Sequence, residues 1–179
     1  MSEKNTELVK ATWQTMKWEE GEKLNNLARF NELIDRPPNP RHVDTNQYSQ
    51  GAKYLPIRVV ESTLRIIFPA HQIVSLSDPL VIGNSVVMRA RIKVLHPVMM
   101  EWFEYDGVGA VPIEVKKGHS PLDFDNINPK ALHKNVPAAY SFAVSNAAKK
   151  IGRVFGSHLN TAENQVVPVA NMYQQTPEK

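Results

Sequence analysis

Lys149, Lys150 and Arg153 are the residues whose type and spacing point most directly to chemistry. They lie in the run Ala143-Val144-Ser145-Asn146-Ala147-Ala148-Lys149-Lys150-Ile151-Gly152-Arg153-Val154-Phe155-Gly156. Ala143, Ala147, Ile151, Val154 and Phe155 recur at helical spacing, which predicts an amphipathic helix from about Pro137 to Phe155 with that face buried. Lys149 and Arg153 then sit one turn apart, with Lys150 beside them on the cylinder. No Asp or Glu occurs between Asn126 and Ala162, a window that also holds Lys130, Lys134, His133 and His158. An unneutralised basic surface on a rigid element suits a phosphate backbone.

A second cationic group is Arg89, Arg91 and Lys93. They alternate with Met88, Ala90, Ile92 and Val94, so a strand over Ser85 to Leu95 would carry the three cations on one face. A solvated antiparallel sheet face carries the same pattern without any ligand. Tyr54, Trp102, Phe103 and Tyr105 are aromatic enough to stack on bases, or to fill a core. Asp106 followed by Glu114-Val115-Lys116 matches the loose D…E-x-K arrangement in which two carboxylates hold Mg²⁺ and a lysine helps activate water. A turn at Asp106-Gly107 accounts for the aspartate without metal. The six histidines lack ligand spacing, no phosphate-cradling G-x-x-x-x-G-K-[ST] loop occurs, and Gly107-Val108-Gly109 lacks the third glycine of a dinucleotide site. No nucleophile triad is evident, and neither a metal nor a cofactor is expected.

These groups need elements to position them. The length suggests one domain with extended ends, and the apolar fraction of 42% can fill a core. The net charge of +3 is uninformative, but its distribution is not. Residues 1–50 carry seven Lys/Arg against eight Asp/Glu, and residues 51–100 six against two, so the basic excess belongs to the expected folded part. The absence of cysteine excludes disulfides and thiolate metal sites. Neither an apolar signal core nor a membrane-length apolar run is seen, so the expectation is a soluble, cytoplasmic protein with no membrane partner.

Residues 1–50 read as a helical segment around Trp13 and Trp18 followed by a linker carrying Pro37-Pro38-Asn39-Pro40. Pro56 suits the first turn of a helix, in which Ile57, Val60, Leu64, Ile67 and Phe68 share one side and Arg58, Glu61 and Arg65 the other, with Pro69 closing it. Short strands follow: Gln72 to Leu76, then Ser85 to Leu95. His96-Pro97 reads as a turn, Val98 to Tyr105 as a strand, Asp106-Gly107 as a break, and Val108 to Val115 as a possible continuation. Gly118 to Pro137 reads as a loop and residues 161–179 as a polar tail. The order predicts an α+β domain over residues 51–160, an antiparallel sheet of three or four strands packed on one long helix, with an additional N-terminal helix.

Two of these blocks resemble a known family, the Rad-fifty-two superfamily of single-strand annealing proteins, in particular its short bacteriophage members. One is Tyr54-Leu55-Pro56-Ile57-Arg58-Val59-Val60 running to Phe68. The other is Asp106-Gly107-Val108-Gly109-Ala110, then a loop, then Ala143 to Gly156. The resemblance covers residues 50–160. It implies a β-β-β-α core, assembly into rings or helical filaments, and single-stranded DNA held by its backbone in a basic groove with bases exposed for pairing. The family's groove cations fall on Lys149, Lys150 and Arg153, and a further basic position falls at about Arg58. Arg89, Arg91 and Lys93 join them through the strand alternation alone. The family's usual helix glycine is Ala147 here, and Gly152 stands where a larger apolar residue is usual.

The function expected is ATP-independent binding and annealing of single-stranded DNA in recombination and repair, by a non-enzymatic homo-oligomer that could also meet a single-strand-binding protein. If the chain is phage-encoded, its location would be the bacterial host cytoplasm. The alternatives are a general single-stranded DNA- or RNA-binding module and a Mg²⁺-dependent nuclease using Asp106, Glu114 and Lys116.

Overall fold

The computed structural model describes residues 20–46, 51–120, 124–128 and 130–161. Trp13 and Trp18 lie outside them. Helix α1 (Glu20–Ile34) leads through a single 3₁₀ turn, Pro40–His42, into a small hairpin of β1 (Asp44–Asn46) and β2 (Ala52–Tyr54). Helix α2 (Ile57–Ile67) follows, then β3 (His71–Ser75), β4 (Leu80–Ile82), β5 (Ser85–Leu95), β6 (Trp102–Pro112) and helix α3 (Ala131–Ala148). The architecture is α+β, as the element order predicts: a four-stranded antiparallel sheet packed on a helix. No helix among the described residues is long and apolar enough to cross a membrane.

The 3.6-residue period places α2. Val60, Leu64 and Phe68 line up and are buried, while Arg58 and Arg65 stay exposed. Pro56 precedes the first turn, and the Phe68 amide closes the last by donating to the Leu64 carbonyl at 3.0 Å.

The two-residue period places β5, which spans the expected Ser85 to Leu95. Val86, Met88, Ala90, Ile92 and Val94 are buried against α3, and the odd-numbered residues from Ser85 to Lys93 face outward, while Leu95 at the end of the strand is buried too. β5 is the centre of the sheet: β3 and β4 share one side of it, and β6 occupies the other.

Three elements differ from the sequence reading. β6 does not break at Asp106-Gly107 but continues through it, with Gly107 opposite Ala90 and Gly109 opposite Met88. Both glycines face α3. A Cβ on Gly107 would collide with the Ala143 carbonyl oxygen, and one on Gly109 with the Ala139 carbonyl oxygen. These glycines therefore set how closely the helix lies on the strand, and their partners are the small buried residues Ala139, Ala143 and Ala147 at i, i+4 spacing.

Helix α3 begins at Ala131, with Pro137 inside it, and ends at Ala148. Lys149 and Lys150 lie in the terminal turn, and Arg153 belongs to a separate 3₁₀ turn, Arg153–Phe155, beyond an extended Gly152. The helix thus stops seven residues short of the expected end, and Gly152 lies outside it. The reason for glycine there is space: a Cβ would stand 2.6 Å from the Ile34 carbonyl oxygen at the end of α1.

Residues 20–46 are not a detached segment. Phe30 is buried with Phe68 and against the His96 ring, and the β1–β2 pairing spans residue 50. Asn160 closes on β2 from the far end of the domain, accepting from the Lys53 amide at 2.8 Å and donating to the Lys53 carbonyl at 2.9 Å.

Candidate nucleic-acid interface

The sheet has one face covered by α3 and one open. Arg89, Arg91 and Lys93 stand together on the open face, as the alternation of β5 predicts. The same parity along β6 places Trp102, Glu104, Asp106 and Val108 beside them, opposite Leu95, Lys93, Arg91 and Arg89 in turn. The strip is therefore not a run of free cations. Arg91 donates to both Asp106 carboxylate oxygens, from Nε at 2.5 Å and from Nη2 at 2.8 Å. Its Nη1 lies 2.6 Å from Glu104 Oε2, and Lys93 Nζ lies 2.6 Å from the other Glu104 oxygen. Arg89 is exposed and forms no ion pair among the described residues.

The electrostatics follow from these contacts. Hydrogen bonding to Arg91 holds the Asp106 carboxyl below the usual carboxylate range, with Arg89 and Lys150 adding to the effect. The hydrogen bond from Lys93 does the same for Glu104. The Arg91 guanidinium is held charged more firmly than an ordinary arginine, chiefly by Asp106.

β6 has a neighbour on one side only, so the carbonyls of its even-numbered residues point away from the sheet. Helix α3 and its terminal turn supply donors for three of them. Asn135 Nδ2 reaches the Pro112 carbonyl at 3.0 Å, Asn146 Nδ2 the Val108 carbonyl at 2.9 Å, and Lys150 Nζ the Asp106 carbonyl at 2.6 Å. Asn135 is the one buried polar residue among the described residues, and this bond explains its burial. Lys150 consequently lies at the edge of the open face, with its charge felt at Asp106. Asp106 is where the two cationic groups meet.

The other predicted cations are placed differently. Lys149 approaches Asn146 Oδ1 at 3.4 Å. Arg58 is exposed on α2. Arg153 turns toward α1: its Nη1 lies 3.8 Å from Asp35 Oδ2, its side chain is only 24% exposed, and its buried Nε has no partner. Lys149, Lys150 and Arg153 thus do not form one helical ridge.

Among the aromatic candidates, Phe103 and Tyr105 pack against the core, whereas Trp102 is 46% exposed and Tyr54 40%. Trp102 shares the open face with the cations, a placement that the period of β6 would have revealed had the strand been read as unbroken.

The nuclease pattern does not assemble. Asp106 is engaged by Arg91, and Glu114 lies beyond the end of β6, paired with Lys134 at 2.9 Å. Six residues of strand separate Asp106 from Pro112, about 20 Å. One metal ion cannot bridge that distance. Lys116 is directed to Asn126 Oδ1 at 3.5 Å. No group of three or more His, Asp or Glu able to hold a metal occurs among the described residues.

No family model matches the chain, and no curated protein matches it.

Proposed function

We propose that this protein binds single-stranded DNA through the phosphates and anneals complementary strands without a nucleotide cofactor. The observation that carries the proposal is the convergence at Asp106. Arg91 binds the Asp106 carboxylate, Lys150 from the end of α3 binds the Asp106 carbonyl, Arg89 on the same open face adds to the field there, and Trp102 stands on that face too. Lys93, Lys149 and Arg58 extend the basic surface. Arg153 joins it only if Asp35 releases it. A rigid strand carrying cations at every second residue tracks a phosphate backbone, and an exposed indole offers a base a stacking surface without reading its identity.

The resemblance to single-strand annealing proteins supports the same reading, including a homo-oligomer that presents unstacked bases. Pairing of the two strands supplies the free energy, so no ATP is required. The protein then acts as a binding platform rather than an enzyme, and a single-strand-binding protein coating the substrate would be its natural partner. A general single-strand binder shares this surface but would coat strands and slow their pairing.

Equilibrium binding of an unstructured oligonucleotide across a salt series tests the surface. Arg89→Ala and Lys150→Gln, the latter keeping an amide donor for the Asp106 carbonyl, should each weaken binding to every sequence alike. Each should lower the salt slope by about 0.7. Unchanged affinity and slope in both variants would overturn the assignment.

A further inference from the structure

Glu104 and Asp106 occupy the open face in a way that stability explains only in part. Their side chains are 39% exposed and that of Arg91 is 32% exposed. Single ion pairs so open to water and salt add little to a fold, and the bidentate Arg91–Asp106 pair and its link to Glu104 and Lys93 add a modest amount. Yet the two carboxylates take up most of the hydrogen-bonding capacity of Arg91 and the Nζ of Lys93, leaving Arg89 unpaired beside them. They stand two residues apart on one face of a strand, about 6.7 Å. That spacing is comparable with the distance between neighbouring phosphates of an extended nucleic-acid strand, so Glu104 and Asp106 sit where two such phosphates would.

We propose that Glu104 and Asp106 are specificity-determining residues that mask the sheet cations and admit only a polyanion able to displace both carboxylates together. The inference rests on the phosphate-binding reading of this face and adds to it the class of anion accepted. A single small anion must compete with carboxylates tethered at high effective concentration. A phosphodiester chain replaces both at once, and the unpaired Arg89 together with Lys150 gives it an initial foothold. Displacement breaks four charge-assisted contacts and forms equivalent ones to phosphate, while the released carboxylates remain in water.

The test neutralises the mask with near-isosteric amides, Glu104→Gln and Asp106→Asn, singly and together. Affinity for an unstructured DNA oligonucleotide and for inorganic polyphosphate is measured across a salt series. The double variant should bind both probes more tightly, on the order of tenfold at low salt, because no carboxylate has to be displaced before Arg91 and Lys93 meet phosphate. Orthophosphate, which the wild-type protein should ignore, should gain measurable affinity. If the double variant loses its thermal transition, Glu104→Gln alone carries the test through Lys93, with a smaller gain in affinity for both probes. Should the wild-type and variant proteins both ignore DNA while the variant gains polyphosphate affinity, the mask stands and the DNA reading falls. No gain with either probe in a folded variant would overturn the mask.

Discussion

At the scale of single residues, most charged groups of the open face are already committed, and the uncommitted ones should govern binding. Trp102 makes this concrete. It is exposed at the start of β6, on the face that carries Lys93 and Arg91. Trp102→Ala should weaken single-strand binding by about 1–3 kcal/mol, the range for loss of one stacked base, while leaving the salt slope unchanged because no charge is removed. Quenching of indole fluorescence on DNA addition, lost in the variant, checks the assignment.

His96 has a different task. Its Nδ1 accepts from the Val98 amide at 3.2 Å and the Met99 amide at 3.1 Å, which fixes the turn between β5 and β6, while Phe30 packs against its ring. Burial pushes its pKa below the ordinary 6.5, with Glu101 opposing, and burial together with Arg65 does the same for His71 against the opposing charge of Glu61. A base with a depressed folded pKa binds protons more readily when unfolded. Its contribution is therefore complete above the unfolded value and is lost as pH falls from 6.5 toward the folded value. The melting temperature should be flat above about pH 7 and drop below about 6.5, with a shallower drop in His96→Asn. A melting temperature that rises on acidification through this range would contradict the assignment.

At the scale of elements, the interface between β6 and α3 is the least tolerant part of the fold. Gly107 and Gly109 bring the strand against backbone atoms of Ala139, Ala143 and Ala147, which cannot yield as a flexible side chain would. Gly107→Ala or Gly109→Ala should destabilise by about 3 kcal/mol or more, at the upper end for overpacking. Urea unfolding measures it. Leu64→Ala, which opens space under α2, should cost about 2–5 kcal/mol.

These elements also show what was legible in advance. β5 was readable because it alternates without interruption, and α2 because its apolar stripe is bounded by Pro56 and Pro69. β6 was obscured because Asp-Gly is a turn signal in isolation. Only the later Ala139-x₃-Ala143-x₃-Ala147 spacing reveals that the glycines serve close approach to a helix. The end of α3 was obscured because Lys149 and Lys150 are good helix formers, and the clash that Gly152 avoids is with Ile34, more than a hundred residues earlier. β1, β2 and β4 are three residues each, too short to show a period. The candidate cations on β5 were legible for the same reason as the strand, whereas their carboxylate partners depend on cross-strand register, which one strand's pattern does not contain.

At the scale of the whole molecule, the two sides of the sheet are finished differently. The outward carbonyls of Asp106, Val108 and Pro112 on β6 are capped by side chains from α3 and its terminal turn, so this edge is poorly suited to accept another strand. β4 is the opposite case: Leu80, Val81 and Ile82 are 49%, 54% and 61% exposed on an edge without a charged residue. A homo-oligomer would cover it. Val81→Lys, which adds a charge to that edge, should lower the mass seen by sedimentation at micromolar concentration without altering the far-ultraviolet spectrum. A wild-type monomer under those conditions would remove the oligomer from the account.

Sequence preference belongs to the same scale. Cations that hold phosphates carry no base identity, so strands of equal length and different composition should differ by no more than about 1–3 kcal/mol.

Annealing is read from the second-order rate at which two complementary, unstructured oligonucleotides pair, with and without the protein, at one fixed salt and with no nucleotide present. Pairing should be faster with the protein, and the acceleration should fall in Arg89→Ala and Lys150→Gln in proportion to their loss of binding. Pairing that is slowed by saturating protein, although both strands are bound, would show a passive coat and contradict annealing.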